Sequence, residues 1–131
     1  MLQLFEQAWM EKFMQEWNKD PYLTRHLNEI NFSSIIGYGF PDEDRPRSCI
    51  VIEDGYVIEA GHYNSQKLNW DLRAKEDHWK EWFKREVGST GLGLAYTTGK
   101  LKFVEGDYKS MIRNPTMASP FIKSFSAMSR V

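Results

Sequence analysis

The sequence predicts a mixed α/β (α+β) chain, with helices toward both ends and antiparallel strands between them. Three observations carry that prediction. Residues 2–17 repeat apolar side chains at helical spacing, residues 47–63 alternate about an Asp54-Gly55 dipeptide as a hairpin does, and helical spacing returns at residues 76–87 and near the C-terminus.

In the first segment Leu2, Phe5, Trp9, Met10, Phe13 and Trp17 fall within about 140° of arc, with Gln7, Glu11 and Gln15 opposite. Glu6 and Glu16 blur the edge of the stripe. The polar side carries Glu6, Glu11 and Glu16 against Lys12 alone, so the stripe is expected to face a core rather than anionic lipid headgroups. Asn18-Lys19-Asp20-Pro21 stops the helix, because proline pushes its predecessor out of the α region. A shorter helical piece follows over 21–27. Ile36, Tyr38 and Phe40 alternate with Gly37 and Gly39 as a strand, and residues 41–46 form an exposed charged loop. Asp54-Gly55 then supplies the positive φ angles of a type I′ turn. Read outward from that turn, the register pairs Ile52 with Val57 on one face, and Val51 with Ile58 and Cys49 with Ala60 on the other. Residues 68–72 alternate cleanly and are expected to extend the same antiparallel sheet.

Glu76 and Asp77 open the next helix, whose apolar stripe is Trp79, Trp82 and Phe83, and Gly88-Ser89 ends it. The Gly-rich residues 91–98 favour a short helix. Residues 101–104 form a last strand, closed by Glu105-Gly106-Asp107, and a helix over 108–113 runs into Asn114-Pro115. In the final segment Pro120 suits a first helical turn, and Met117, Phe121, Phe125 and Met128 lie within about 80° of one another. Two Met and two Phe on one face are adaptable, as a docking surface needs; the alternative is a terminal helix closing the core.

Composition bounds the function. At 131 residues and 15.4 kDa a folded monomer should expose about 7,200 Å², enough for one sizeable core, so residues 1–131 are expected to form a single domain. A net charge of −1 and a pI near 6.3 lack the basic surplus that nucleic acid or an anionic membrane surface requires. Mean hydropathy of −0.57 argues against integral membrane insertion. The lone Cys49 excludes an intramolecular disulfide and a multi-cysteine zinc site, and fits a reducing, cytoplasmic compartment. Glu6 and Glu11 stand where a secretory leader would be basic and then purely apolar. Five Trp, six Tyr and eight Phe are generous for such a core, so some are expected at a pocket or an interface.

No catalytic constellation emerges. His26, His62 and His78 lack metal-ligand spacing, and no metal or cofactor is expected. Gly91-Leu92-Gly93 lacks the third glycine of a dinucleotide fingerprint, and Thr98-Gly99-Lys100-Leu101 is not a phosphate loop. Cys49, in a buried strand, is expected to behave as a small hydrophobe, and Glu53-Asp54 belongs to a turn. A hydrolase or isomerase reading has no nucleophile–base pair to name.

Several segments together resemble the sterol carrier protein family of small lipid-tunnel domains. They are the strand 68–72 running into the helix 76–87, and above all Thr98-Gly99-Lys100-Leu101-Lys102-Phe103-Val104-Glu105-Gly106-Asp107, similar to the family's Gly-Lys-Leu-Lys strand that ends in Gly-Asp or Gly-Asn before a helix. The resemblance covers residues 30–113 well and the ends poorly. It implies a five-stranded, mostly antiparallel sheet covered on one side by helices, with an apolar tunnel between for acyl chains, sterols or similar lipids, and no chemistry of its own. The segment 115–131 is longer and more regular than the family's usual tail, and Ser129-Arg130-Val131 is a poor match to a peroxisomal Ser-Lys-Leu address.

The reading that follows is a non-enzymatic protein that binds and transfers or presents lipids. Its candidate ligand-binding residues are Phe32, Ile36, Val51, Ile58, Trp70, Trp79, Phe83, Phe103, Met111, Phe121, Phe125 and Met128, with Phe121, Phe125 and Met128 as a lid. The small residues Cys49, Val51 and Ala60 would leave space for the ligand between sheet and helices. The rival reading is an interaction module or oligomerising accessory subunit, its C-terminal stripe docked on a second copy or on a partner enzyme.

Overall fold

A computed structural model describes residues 2–85 and 87–131. Its elements are α1 (Gln7–Lys19), α2 (Pro21–Glu29), β1 (Ser34–Gly39), β2 (Ser48–Glu53), β3 (Tyr56–His62), β4 (Trp70–Arg73), α3 (Glu76–Lys84), α4 (Ser89–Thr97), β5 (Lys102–Glu105), α5 (Tyr108–Ile112) and α6 (Pro115–Ser129). The strands form one five-stranded sheet in the order β3-β2-β1-β4-β5. The accessible surface is 7390 Å², close to the value expected from mass alone.

Three helix starts are set locally by a capping side chain. Asp20 caps α2, its Oδ1 accepting from the backbone of Tyr22 at 2.9 Å and Leu23 at 3.4 Å, with Pro21 in the first turn where its missing N–H costs nothing. Asp107 caps α5 through Lys109 N at 3.1 Å. Asn114 caps α6 through Thr116 N at 3.1 Å. The helix therefore starts at Pro115, and Pro120 falls inside it rather than in its first turn.

Four further expectations are corrected. The N-terminal helix begins at Gln7, not at residue 2, because Phe5 takes a φ of +64°. That conformation costs a non-glycine residue about 1–2 kcal/mol, but it turns the ring into the centre of the core. There Phe5 lies 5.3 Å from both Trp9 and Trp79, 5.8 Å from Tyr38 and 5.7 Å from Phe40. Second, β4 pairs with β1 in parallel, Ile36 opposite Trp70 and Tyr38 opposite Leu72, because the chain crosses from edge strand β3 to the far side of β1 before it re-enters the sheet. The other three pairings are antiparallel. Third, the hairpin register holds only next to the turn. Glu53–Tyr56 and Ile52–Val57 pair as expected, but a β-bulge then places Val51 opposite Glu59 and Cys49 opposite Gly61. Ile58 is the extra residue. Fourth, the helix expected over 76–87 ends at Lys84; Glu86, in the remainder of that span, lies outside the described residues.

These registers fix which face meets the helices. Ser34, Ile36 and Tyr38 share a face with Ser48, Ile50, Ile52, Trp70 and Leu72, and the buried core gathers there against α1, α3 and α6. The opposite face carries Cys49, Val51, Asp71 and Arg73. Arg73 is buried with Asp71, to which it donates two bonds at 2.6 and 2.9 Å. Its remaining nitrogen donates to Phe40 O at 3.2 Å and Glu43 O at 2.7 Å. The charged loop over 41–46 is thereby wrapped around a buried guanidinium.

Candidate functional site

The site is an apolar cavity between the helix-facing side of the sheet and the last two helices. Ile36 and Leu72 come from the middle of the sheet, Trp70 from the start of β4 and Phe32 from the segment leading into β1. Trp17 of α1 and Leu27 of α2 form one wall. Met111 of α5 and Met117, Pro120, Phe121 and Ser124 of α6 form the roof. Phe32, Trp70, Met117 and Phe121 are half-buried and make the rim, whereas Ile36, Leu27, Leu72 and Trp17 are buried.

Among the described residues no ionisable side chain lines this space. Two lining side chains carry a polar atom, and both have a partner within the fold. The Trp17 indole donates to Gly55 O at 3.0 Å, and the Ser124 hydroxyl donates to Phe121 O at 2.5 Å. The first bond joins α1 to the tip of the β2–β3 hairpin. That tip is held a second time: Gly55 has a φ of +92°, and a Cβ there would meet Asn28 N at 2.6 Å. The cavity volume is about 30 Å³, close to one water molecule's share of liquid volume. Ligand sites usually start near ~300 Å³, so lining side chains must move for a ligand of ordinary size to enter.

Five of the twelve expected residues, Phe32, Ile36, Trp70, Met111 and Phe121, converge on this cavity. Phe103 sits just behind the rim, its ring 5.9 Å from Phe121 and 6.1 Å from Trp70. Phe125 and Met128 are buried in the core, Phe125 5.5 Å from Phe121. Of the expected lid, Phe121 alone reaches the cavity. Trp79 is wholly buried and donates from its indole to Gly39 O at 3.0 Å, while Phe83 stacks on Trp9 at 6.0 Å. Two residues lie away from the site because of the bulge and the sheet's orientation. Ile58 is 51% exposed. Val51 lies with Cys49 and Glu59 in a polar groove on the opposite face. The small residues Cys49 and Val51 therefore make no room between sheet and helices.

Trp17, Leu27, Leu72, Met117, Pro120 and Ser124 also line the cavity, beyond the sequence expectation. For α6 a signal existed: residues 117, 120, 121 and 124 follow the i, i+3, i+4, i+7 spacing of one helical face. Phe125 and Met128 belong to the adjoining face. Outside the lining, burial shifts ionisable groups toward their neutral forms. The Tyr108 phenol is raised, and the Cys49 thiol is pushed up to about 11, by desolvation first and the charge of Glu59 second. Among the described residues no three His, Cys, Asp or Glu side chains gather as a metal site would require.

No protein-family model and no curated protein sequence matches the chain significantly. Solved structures do match. A crystal structure of sterol carrier protein 2 superposes with a TM-score of 0.77 at 12% identity, over 98% of this chain and 99% of that one. A conserved hypothetical protein of Thermus thermophilus, described as possibly a sterol carrier protein, gives 0.64 at 15% identity over 98% and 91%. A structure described as UbiJ-SCP2, a ubiquinone synthesis protein, gives 0.61 at 9% identity over 92% of each chain. An open five-stranded sheet with its helices on one face, overlapping sterol carrier protein 2 across nearly the whole chain, gives this protein the sterol carrier protein 2 fold.

Proposed function

We propose that the protein binds the apolar part of a lipid in the cavity beneath α6 and carries or presents it without chemistry of its own. The observation that carries this reading is the uncharged aromatic and thioether lining, where both polar atoms already have partners. That lining pairs no nucleophile with an acid or a base. The driving force is removal of ligand hydrocarbon from water, about 0.8 kcal/mol per methylene, so ten methylenes supply about 8 kcal/mol before association costs are subtracted. At about 30 Å³ the cavity must widen to hold a lipid chain in this reading. Ligand enters as Phe121 and Met117 swing outward at the rim, which makes Phe121 the lid. The lone buried Cys49 suits a cytoplasmic place of action, and residues 1–131 act together as one binding domain.

The sterol carrier protein 2 fold adds weight to this reading. The rival docking reading loses ground, because Phe125 and Met128, half of its apolar stripe, are only 1% and 2% exposed. Native mass spectrometry of the purified protein, with solvent extraction of the same sample, tests the proposal. A retained lipid mass that disappears on extraction is expected. An empty monomer that also fails to take up added palmitate would overturn the reading, and an empty dimer would favour docking on a second copy.

A further inference from the structure

We propose that the cavity selects a flexible hydrocarbon chain, taken tail first with its polar head left outside, and turns away the rigid fused rings of a sterol. The inference rests on the lipid-binding reading and narrows it.

Polarity sets the orientation. A buried carboxylate needs donors, and among the described residues no lining side chain has a free one. The Trp17 indole proton is held by Gly55 O and the Ser124 proton by Phe121 O. A charged end is therefore excluded from the interior and a bare tail is not. Ser124 Oγ keeps an acceptor lone pair, so the interior tolerates at most a hydroxyl.

Shape sets the class. A volume of about 30 Å³ means that any ligand must displace protein atoms, and the two ends of the roof differ in how they can yield. The first turns of α6 carry Met117, an unbranched side chain with three rotatable bonds. They also carry Pro120, which has no N–H to give the Thr116 carbonyl and so leaves a gap in the helix ladder. The second half of α6 is pinned. Phe125, Ala127 and Met128 are fully within the core, and Arg130 donates to Glu16 at 3.2 Å and to Asp20 at 3.1 Å. The floor, Ile36 and Leu72 in central strands, is fixed as well. Opening therefore makes a slot along residues 115–121, not a broad slab. A chain one methylene wide enters such a slot in steps. A sterol needs the full width of its ring system at once, in an interior packed as densely as an organic crystal.

The test titrates the full chain with palmitate, geranylgeraniol, hexadecanedioate and cholesterol, reading the tryptophan emission, to which Trp17 and Trp70 of the lining contribute. At least one of palmitate and geranylgeraniol should bind at least tenfold more tightly than both hexadecanedioate, which must bury or strand a second charge, and cholesterol. Whichever chain binds more tightly assigns an acyl or a prenyl source, and either result supports the inference. Cholesterol or hexadecanedioate within tenfold of the better chain would overturn it while leaving lipid binding intact. Binding of none of the four would overturn the lipid reading, and this inference with it. Met117→Ala widens the slot and should raise cholesterol affinity relative to palmitate; an unchanged ratio would count against the shape argument.

Discussion

Gly106 governs the cavity rim from outside it. Its φ is +95°, and a Cβ there would overlap the Trp70 ring, so a side chain would be strained in the backbone and would push an indole that lines the site. Gly106→Ala should cost about 2 kcal/mol and shift Trp70 emission; a urea midpoint equal to wild type would show that the ring has room to spare. The Gly106-Asp107 pair was legible as the end of a motif, but its reason was not, because the contact joins β4 to the end of β5. Arg130 is a second such residue. With Lys19, whose bond to Glu16 is 3.0 Å, it holds the Glu16 carboxyl below its ordinary value of 4.5. A depressed carboxyl stabilises the fold above its unfolded value and loses that contribution as pH falls through its folded one. Stability should therefore decline below about pH 4.5. Arg130→Ala should cost about 1 kcal/mol at pH 7 and less once Glu16 is protonated, which urea titrations at the two pH values compare. In the sequence Glu16 only blurred an apolar stripe, since Arg130, which joins Lys19 on its carboxylate, lies at the far end of the chain.

At the scale of elements, α1 serves as a side wall for edge strand β3 as well as a core helix. Gln7 donates to Ala60 O and accepts from His62 N, both at 3.3 Å, while Asn18 donates to Val57 O and accepts from Val57 N, both at 2.9 Å. The two amides stand about three helical turns apart and each imitates a neighbouring strand. They close an edge that would otherwise offer unpaired backbone to another chain. Asn18→Ala should cost about 2 kcal/mol by opening two partly buried bonds and should increase aggregation on heating, which light scattering beside a melting curve would detect. An unchanged melt would mean that water replaces the amide at no loss. The apolar stripe of α1 was legible because periodicity reports burial. Its polar face reads only as solvent-facing, since no periodicity marks an amide that meets a strand edge. The bulge at Ile58 escaped for a related reason: a two-residue turn fixes register at its own end, and alternation looks the same on both sides of a skipped pairing.

At the scale of the whole molecule, α6 has two duties divided along its length, and the division decides how a lid can be tested. Its first half roofs the cavity through Met117, Pro120 and Phe121, and its second half buries Phe125, Ala127 and Met128 in the core that also holds α1 and α3. The sequence joined Met117, Phe121, Phe125 and Met128 in one stripe because the wheel places them close together; only packing shows that the stripe straddles two environments. Removing residues 117–131 would take away several buried side chains at about 2–5 kcal/mol each, so the truncated chain should show no cooperative unfolding and could report nothing about a lid. Phe121→Ala separates the duties. The ring is half-buried at the rim, 5.9 Å from Phe103 and 5.5 Å from Phe125, so the core should survive its loss. With palmitate as ligand, release measured by stopped-flow Trp emission should speed about tenfold, because most effects of a contact residue appear in the off-rate. Saturating ligand at about 100 times Kd should still stabilise both proteins by about 2.7 kcal/mol. An unchanged off-rate with intact binding would mean that ligand leaves by another side of the cavity, and Phe121 would then be a wall and not a lid.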